Sequence, residues 1–471
     1  MNTPLHRARD ARTAAYPLPG TALSRRRLLQ GSAVLAGTVG TATLASCGGS
    51  SAPAGATQID YWLWDANQLP AYSAAIDLFM QKNPDVFVRI TQLGWDDYWT
   101  KLTASFVAEA GPDAFTDHLA RYPEFLQLGV ISPLDGLGQL DGIPAEHFQE
   151  GLQELWTGQD GQRYGIPKDY DTIAVMYDKN MLEEEGLTPE DLQDLDWNPE
   201  DGGSFERMLA RLSIDANGVR GDEDGFDPAN VARYGMAGGG EIDYVGQSSW
   251  SPFALSTGWT FTDAETWGTH FNYDDERFAA TMDWYFGLVD KGFFPPFGMF
   301  GESSPAQTQV QSGIAALALA GSWMITTFNN MEGMDLGIAP LPSGPVGHPV
   351  SMFNGLGDSI SAQSEKKEEA ARLIGFLASD EAQRLIGERA PFFPSTDAGT
   401  EAAIESYAAE GLDVTPFTDR VANGETGLFP LVENSASIMT IMQRAFDRCW
   451  MREIDGADFA AYNERVNALF E

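Results

Sequence analysis

Cysteine, lysine and histidine are scarce in this chain of 471 residues, which contains only two cysteines and five histidines. Two cysteines are too few for a small scaffold held together by several disulfides. The 29 lysines and arginines are outnumbered by 68 aspartates and glutamates, which gives a formal net charge of −39. A surface this negative repels nucleic acid and anionic lipid headgroups, so both are poor partners for the chain.

The sequence also lacks the motifs of several enzyme classes. It has no His-Glu-x-x-His pair of zinc ligands and no Gly-x-Ser-x-Gly nucleophile turn, and no lysine is followed by serine or threonine as in a phosphate-binding loop. Hydrophobic residues make up 43% of the chain, which is enough to build packed interiors. The length predicts two or three compact units.

Residues 1–46 have the features of a bacterial export signal. The stretch Ser24-Arg25-Arg26-Arg27-Leu28-Leu29-Gln30 resembles a twin-arginine motif, and a modest apolar stretch follows it. This stretch ends in Leu44-Ala45-Ser46-Cys47, which matches the lipobox whose cysteine receives a diacylglycerol. We therefore expect the mature chain to begin at Cys47, with residues 47–56 as a flexible tether. Two acyl chains give stable anchoring, which predicts a lipoprotein on the outer face of the cytoplasmic membrane.

Strand and helix periodicities alternate along the mature chain. Residues 58–64 alternate as in a strand, residues 72–79 place apolar side chains on one helical face, and residues 86–90 alternate again. Further on, 314–319 reads as a buried strand and 370–377 as an amphipathic helix. This rhythm predicts an α/β protein whose sheets are covered by helices.

Residues 194–245 interrupt this rhythm, because glycine, aspartate and asparagine dominate there and periodicity fades. We interpret them as a long insertion or loop. An acidic cluster within it has the oxygen ligands of a calcium site, but a solvated turn explains it better and no metal is predicted. The cluster comprises Asp215, Asn217, Asp222, Asp224 and Asp227. Elsewhere, Cys449 falls on an apolar helical stripe, which predicts a buried, inert thiol.

Four stretches, taken in order, resemble the family 1 extracellular solute-binding proteins, which are the maltose-binding-protein-like sugar receptors of ABC importers. The stretches are Gly111-Pro112-Asp113-Ala114-Phe115 with Leu128 to Asp135, Tyr164 to Tyr170 with Met176 to Leu182, Gln311 to Ala316 with Gly321-Ser322-Trp323, and Ala339-Pro340-Leu341-Pro342 with Ala370 to Gln383. Each stretch alone is a weak signal, but their order and spacing cover most of residues 57–400.

The resemblance implies a two-lobed α/β fold of the type II periplasmic-binding-protein class, with several hinge crossings. Lobe one would comprise 57–168 and 353–395, and lobe two 169–352 and 396–471. The crossings would lie near Lys168-Asp169-Tyr170, near Ser351-Met352-Phe353 and near Phe393-Pro394. Hinge residues of this kind absorb a change in backbone angles as the lobes close.

A sugar site needs aromatic platforms for C–H faces and fixed polar groups for hydroxyls. Such residues belong at strand ends that face the cleft. The candidate ligand-binding residues are Trp64, Asp65, Trp95, Asp117, His118, Asp169, Tyr170, Trp250, Ser322, Trp323, Asn354 and Gly355. For the tryptophans the open alternative is a core position, and for Asp169 and Tyr170 it is a role in bracing the hinge.

These observations predict a monomeric, non-enzymatic receptor that binds a mono- or oligosaccharide without a cofactor and delivers it to the permease subunits of an ABC importer. Two alternatives stay open at this point. An exported carbohydrate-active enzyme would use a carboxylate pair, which 68 acidic residues do not exclude. An adhesion or scaffold lipoprotein would need no cleft at all.

Overall fold

Strands and helices follow each other through most of the computed structural model, which describes residues 52–239, 242–300, 304–389 and 392–471. The strands are β1 (Thr57–Leu63), β2 (Val86–Gln92), β3 (Ala114–His118), β4 (Ile166–Pro167), β5 (Asp169–Tyr170), β6 (Ile173–Asp178), β7 (Ile214–Asp215), β8 (Val231–Met236), β9 (Ala315–Gly321), β10 (Leu336–Ala339), β11 (Ser351–Phe353), β12 (Leu356–Ile360), β13 (Phe393–Pro394) and β14 (Thr426–Leu428). The export signal and Cys47 lie outside the described residues.

The α-helices cover the faces and ends of the sheets. They are α1 (Leu69–Lys82), α2 (Trp95–Val107), α3 (Tyr122–Gln127), α4 (Leu152–Leu155), α5 (Lys179–Glu184), α6 (Gly203–Leu212), α7 (Ser251–Leu255), α8 (Glu276–Asp290), α9 (Ala306–Gln311), α10 (Ile325–Asn329), α11 (Lys367–Leu377), α12 (Asp380–Gly387), α13 (Asp397–Ala409), α14 (Thr415–Ala422), α15 (Ser435–Trp450) and α16 (Phe459–Asn467). Within the described ranges, no helix has both the length and the apolar character to cross a bilayer.

Two five-stranded sheets organise the described residues. The first has the order β2-β1-β3-β12-β4, and the second has the order β10-β6-β9-β8-β7. In the first sheet β1 runs parallel to β2 and β3, whereas β12 runs antiparallel to β3 and β4. The predicted mixture of α and β structure is confirmed.

The periodicity of the sequence explains the local structure of the first sheet. β1 buries Ile59, Tyr61 and Leu63 at alternate positions, as a strand with one strongly covered face does. α1 buries Tyr72, Ala75, Ile76 and Phe79 at helical spacing and ends just before Pro84. In the second sheet β9 is buried at every position, because helices and neighbouring strands enclose it.

The chain passes from one five-stranded sheet to the other at two of the three places where crossings are expected, whereas β13, at the third, lies outside both sheets. β4 belongs to the first sheet and β6 to the second, with β5 between them. The return runs from β10 through β11 into β12, and β13 pairs with β5. We call these short segments, which connect the two sheets, the connecting layer. The exact lobe boundaries stay a prediction.

The expectation of a largely irregular segment from 194 to 245 is wrong for two of its parts. Residues 203–212 form α6, which buries Phe205, Leu209 and Leu212, and β8 extends the second sheet. Gly202 and Gly203 allow the turn into α6 because both have positive φ angles, of 74° and 62°. The high content of glycine, aspartate and asparagine in this segment therefore led to the wrong prediction for α6, although its apolar residues have the usual helical spacing.

The acidic cluster of this segment contains a tight turn. The Asp215 carboxylate accepts hydrogen bonds from the backbone N–H groups of Asn217, Val219 and Asp227 at 2.8–3.1 Å. Bonds of this kind lower the pKa of Asp215, the bond from Val219 most strongly. No group of three or more histidine, cysteine or acidic side chains in the described part of the chain is arranged to hold a metal ion.

The prediction for Cys449 is confirmed. Its side chain is buried in α15 beside Ile438, Met442 and Ala445. Burial raises the pKa of the thiol to about 12, so the reactive thiolate is not populated at neutral pH.

Candidate functional site

A cavity of about 330 Å³ lies where the ends of strands from both sheets meet. β1 and β3 end on one side of it, and the chain leaves β9 and enters β6 on the other. Polar groups at strand ends of this kind are common in the binding sites of α/β proteins. The cavity is lined by Trp64, Asp65, Gln68, Trp95, His118, Asp171, Gln247, Trp323, Asn354 and Leu356.

Aromatic rings form the wall of the cavity on the side of the first sheet. Trp64 follows β1, and its ring lies 5.2 Å from that of Trp95 at an interplanar angle of 82°. Trp95 begins α2 and keeps 48% of its surface exposed, which is unusual for tryptophan. Tyr98 and Trp99 support Trp64 from behind, with ring centroids 5.2 Å away in each case. The wall is therefore rigid at its back and open at Trp95.

His118 completes this wall as a neutral imidazole. Its Nδ1 accepts a hydrogen bond from the backbone N–H of Ala120 at 3.0 Å, which leaves Nε2 as the nitrogen that carries hydrogen. Burial among the rings, aided by the nearby Arg121 charge, lowers the pKa of His118 to about 4. The side chain can donate a hydrogen bond without adding positive charge at neutral pH.

Trp323 provides the wall on the side of the second sheet. It follows β9 and lies directly over the backbone of Gly321, where an added Cβ would be 1.8 Å from the indole ring. Any other residue at 321 would therefore displace Trp323. The preceding Ser322 is buried and donates a hydrogen bond to Oδ1 of Asp171 at 2.6 Å, so it supports the site from below.

The floor of the cavity consists of the segments that connect the two sheets. Asp171 and Asn354 pair through their backbones, and the Asn354 amide donates to Oε1 of Gln247 at 3.2 Å. Gln247 is 5% exposed, and its Nε2 has no hydrogen-bond partner among the described residues. An unpaired buried donor at a cavity wall is costly unless a ligand engages it.

A buried charged network lies beneath this floor. Lys168 Nζ donates to Thr116 Oγ1 at 2.7 Å and to the Tyr61 hydroxyl at 3.2 Å, and lies 3.7 Å from Asp358. It also lies 3.8 Å from the centre of the Tyr72 ring, a cation–π contact. Burial lowers the pKa of Lys168 and raises that of Asp358, and the attraction between the two charges opposes both shifts.

Asp169 belongs to this supporting layer rather than to the cavity wall. Its carboxylate accepts hydrogen bonds from Gln68 Nε2 at 3.0 Å and from the backbone N–H of Leu356 at 2.7 Å. Burial raises the pKa of Asp169 to about 6, against the opposing charge of Lys168. The neighbouring Gly355 allows close contact with the backbone of Asp169, because an added Cβ would be 2.5 Å from its carbonyl oxygen.

The structure brings six of the twelve predicted binding residues to the cavity: Trp64, Asp65, Trp95, His118, Trp323 and Asn354. Ser322, Asp169 and Gly355 support it, as described above. Tyr170, Asp117 and Trp250 take other positions. Tyr170 packs between Phe393 and Phe353 in the connecting layer, and Asp117 is buried on β3. Asp117 misses the cavity because successive strand residues point to opposite faces, and His118 takes the cavity face.

Trp250 lies in the core, which corrects its assignment to the binding site. Its ring stacks on that of Phe446 at 5.2 Å and 16°, and its indole nitrogen donates to the carbonyl of Asp243 at 3.0 Å. Phe446 lies on α15, near the end of the chain, so local sequence around Trp250 gave no sign of this partner. The aromatic segment from 247 to 253 serves packing, apart from Gln247.

Sequence reasoning missed Gln68, Asp171, Gln247 and Leu356 as lining residues. Asp171 follows directly on two candidates at the first crossing, and this position in the sequence is the signal that points to it. Leu356 similarly follows Asn354 and Gly355. Gln68 and Gln247 carry no local pattern, since only the folded chain brings them together.

A larger cavity of about 530 Å³ lies elsewhere, beside Leu255, Val346, Val350 and Leu428. None of its lining residues comes from β1, β3, β6 or β9 or from the segments that directly follow these strands. The smaller cavity is the better candidate, because polar groups and indoles from both sheets converge on it.

The buried carboxyl group of Asp117 is expected to make the stability of the folded protein depend on pH. Burial raises its pKa from 3.8 to about 8, so folded protein holds a proton that unfolded protein releases between about pH 4 and pH 8. The free energy of unfolding therefore falls as pH rises through this window, by up to about 1.4 kcal/mol per unit. Asp117→Asn mimics the protonated form and is expected to remove this contribution, leaving the variant about 2–4 kcal/mol more stable than wild type at pH 8.

Urea unfolding of both proteins at pH 5 and pH 8 measures the difference. The His118 N–H and the Ser359 hydroxyl, which bond to Asp117 at 2.8 and 3.4 Å, both find partners on an asparagine. Equal pH dependence in the two proteins would show that Asp117 ionises normally.

Known proteins resemble this chain over most of its length. Residues 74–409 match the family model described as bacterial extracellular solute-binding protein. The galactooligosaccharide-binding protein of Bacillus subtilis (strain 168) is 24% identical over 393 residues, which cover 79% of this chain and 82% of that protein. The maltooligosaccharide ABC transporter solute-binding lipoprotein of Streptococcus pneumoniae (strain ATCC BAA-255 / R6) is also 24% identical, over 62% of this chain and 60% of that protein.

The fold is shared with solved structures. An ABC substrate-binding protein of Listeria monocytogenes, solved in complex with cycloalternan, superimposes with a TM-score of 0.70 at 16% identity, over 88% of this chain and 99% of that protein. This confirms the two-lobed, type II solute-binding-protein fold. With the family model matched over residues 74–409, well over half of the sequence, the chain belongs to the bacterial extracellular solute-binding protein family.

Proposed function

We propose that this protein is a sugar receptor, which binds a mono- or oligosaccharide outside the cytoplasm and delivers it to an ABC importer. The observation that carries the proposal is the cavity in which indoles from both sides face carboxylate and amide groups. The named ligands of its relatives support the same class, since galactooligosaccharide and maltooligosaccharide appear in two of their names.

The chemistry of the cavity suits a hydroxylated ring. Trp95 and Trp323 offer flat apolar surfaces for the C–H faces of a sugar, one from each side. Asp65 can accept hydrogen bonds from hydroxyl groups, and Gln247 Nε2 can donate one to a hydroxyl or ring oxygen. A small set of fixed polar groups among aromatic platforms is the usual composition of such a site.

Binding by closure of two lobes explains why the polar floor lies in the connecting layer. We take lobe one as 57–168 and 353–395, and lobe two as 169–352 and 396–471. Trp64 and Trp95 then belong to lobe one and Trp323 to lobe two, so a bound sugar bridges the lobes. A ligand that bridges two lobes favours the closed form, which an importer can distinguish from the open one.

The receptor is proposed to act as a monomeric lipoprotein attached to the membrane through Cys47. Cys47→Ser is expected to abolish lipid attachment and release the protein from the membrane fraction, because a single polar hydroxyl cannot replace two acyl chains. Radiolabelled palmitate incorporation and detergent phase partitioning measure this in the full chain. Membrane retention of the variant would contradict the lipid anchor and leave the sugar site unaffected.

A thermal-shift screen of mono- to tetrasaccharides tests the binding function. A sugar that binds only the folded form raises the unfolding temperature in a concentration-dependent way. The same incubations, assayed for reducing ends, separate a receptor from a carbohydrate-active enzyme, because a receptor returns its ligand intact. No stabilisation by any sugar would overturn the proposal, and release of reducing ends would favour the enzyme.

A further inference from the structure

A further polar cavity, which we call the trough, lies beside the proposed sugar cavity. Its volume is about 330 Å³, the same as that of the sugar cavity. Hydrogen-bonding side chains make up most of its lining, whereas indole rings are prominent in the sugar cavity. The polar residues that line the trough include Asn67, Thr326, Asn330, Arg389, Tyr407 and Glu410.

The same two segments of the chain form walls of both cavities. In the turn after β1, Asp65 lines the sugar cavity and Asn67 lines the trough. In the segment after β9, Trp323 lines the sugar cavity and Ile325, at the start of α10, lines the trough. Two residues of chain span at most about 7 Å. The two cavities are therefore neighbours along both walls, at a separation comparable to that of successive rings in an oligosaccharide.

The charges and positions of the lining residues suit a neutral ligand that bridges the two proposed lobes. Arg389 and Glu410 are the charged residues among the lining residues of the trough, so its net charge is zero. With the lobe boundaries taken above, Asn67 and Arg389 belong to lobe one, whereas Asn330 and Glu410 belong to lobe two. A ring bound in the trough therefore favours the closed form in the same way as a ring in the sugar cavity.

The trough contains a buried hydroxyl group that the protein leaves poorly satisfied. Tyr407 is 4% exposed, and its hydroxyl makes no hydrogen bond of good geometry within the described part of the chain. The side chain of Thr326, which also lines the trough, is the polar group beside it. Buried polar groups without good partners are uncommon and costly. The trough thus resembles the sugar cavity, where Nε2 of Gln247 is in the same state.

We infer that the ligand of this receptor is a neutral oligosaccharide of at least two units, with one ring in the sugar cavity and the next ring in the trough. This inference rests on the proposed sugar-binding function and specifies the length of the ligand. The Tyr407 hydroxyl and the amides of Asn67 and Asn330 can each donate to or accept from sugar hydroxyls. A monosaccharide in the sugar cavity leaves these groups unused, so the second ring adds hydrogen bonds.

Calorimetry with sugars of increasing length tests the inference. The first series is glucose, maltose and maltotriose, the second is galactose, galactobiose and galactotriose, and the third is xylose, xylobiose and xylotriose. In any series that binds, the disaccharide is expected to bind about tenfold or more tightly than the monosaccharide. The reason is that the second ring adds contacts in the trough, whereas the cost of immobilising a free ligand is incurred only once.

Two variants with changes in the trough locate the second ring. Tyr407→Phe removes the hydroxyl but keeps the ring, which packs 6.1 Å from that of Phe393, and Asn330→Ala removes an exposed amide. Each is expected to weaken disaccharide binding by about three- to tenfold more than monosaccharide binding, as the loss of one hydrogen bond does. Tyr122→Phe is the matched control and is expected to change neither affinity. The Tyr122 hydroxyl is also buried without a partner among the described residues, but Tyr122 lines neither cavity.

Three results would contradict the inference. A monosaccharide that binds as tightly as its disaccharide would overturn it and leave the sugar receptor standing. A gain in affinity with length that is unchanged in both variants would also overturn it, because the second ring would then lie outside the trough. If no sugar bound, in these series or in the thermal-shift screen, the proposed function would be overturned as well.

Discussion

Replacement of Lys168 by alanine is expected to lower the free energy of unfolding by about 3–5 kcal/mol, which is a large fraction of the stability of most domains. The ammonium group is buried with the Asp358 carboxylate 3.7 Å away, and both are about 2% exposed. Removing the lysine leaves that carboxylate buried without its cation, and it also removes the cation from the face of the Tyr72 ring. The cost comes mainly from the unpaired charge.

A double variant distinguishes this explanation from simple loss of packing. Lys168→Met with Asp358→Asn removes both charges and keeps an acceptor for the Tyr61 hydroxyl, which bonds to Asp358 at 2.7 Å. Because a neutral pair has no charge to desolvate, we expect the double variant to recover most of the stability that Lys168→Ala loses. Urea unfolding of Lys168→Met, of Asp358→Asn and of the double variant gives the coupling energy between the two side chains.

The exposed pair of Lys179 and Asp335 supplies the control. Their charged atoms lie 3.1 Å apart, but their side chains are 37% and 60% exposed. Lys179→Ala is expected to change stability by no more than about 1 kcal/mol, because solvent screens such pairs. If Lys168→Ala were as mild as Lys179→Ala, the proposed role of the buried network would be wrong.

The parts of the fold that the sequence predicts well are those whose signal is local. β1 and α1 follow from alternation and helical spacing over a few residues, and Pro84 marks the end of α1. Trp64, Asp65 and Trp95 were predicted at the cavity for the same reason, because each follows directly on a strand or its connecting turn. The ends of strands can be located from the sequence, and binding residues are common at these positions.

The parts that the sequence misses depend on distant partners. Lys168 and Asp358 come together only because β4 and β12 pair in the first sheet, and the sequence around each residue gives no sign of the other. Trp250 was assigned to the site since an aromatic residue in a loop fits either environment. In the folded protein Trp250 packs on Phe446 of α15, which is distant from it in the sequence.

Loss of the Trp323 side chain is expected to weaken sugar binding by about 2–3 kcal/mol, or about 30- to 150-fold. Trp323→Ala removes the aromatic platform that faces Trp64 and Trp95 across the cavity, so a bound ring keeps contacts on one side only. The Trp323 ring is only partly buried and contributes less to the core than a fully buried tryptophan, so the free protein is expected to stay folded.

The affinity of each variant is measured by calorimetry with whichever sugar stabilises the wild type best, together with the unfolding temperature of the ligand-free protein. Trp95→Ala is expected to have a smaller effect, of about tenfold, because Trp64 still covers that side of the cavity. Phe297→Ala is the matched control, since this ring is 41% exposed and packs on Trp450 rather than lining the cavity. Full affinity in Trp323→Ala, with unchanged stability, would mean that the sugar binds elsewhere, and the larger cavity beside Val346 and Leu428 would become the site to test.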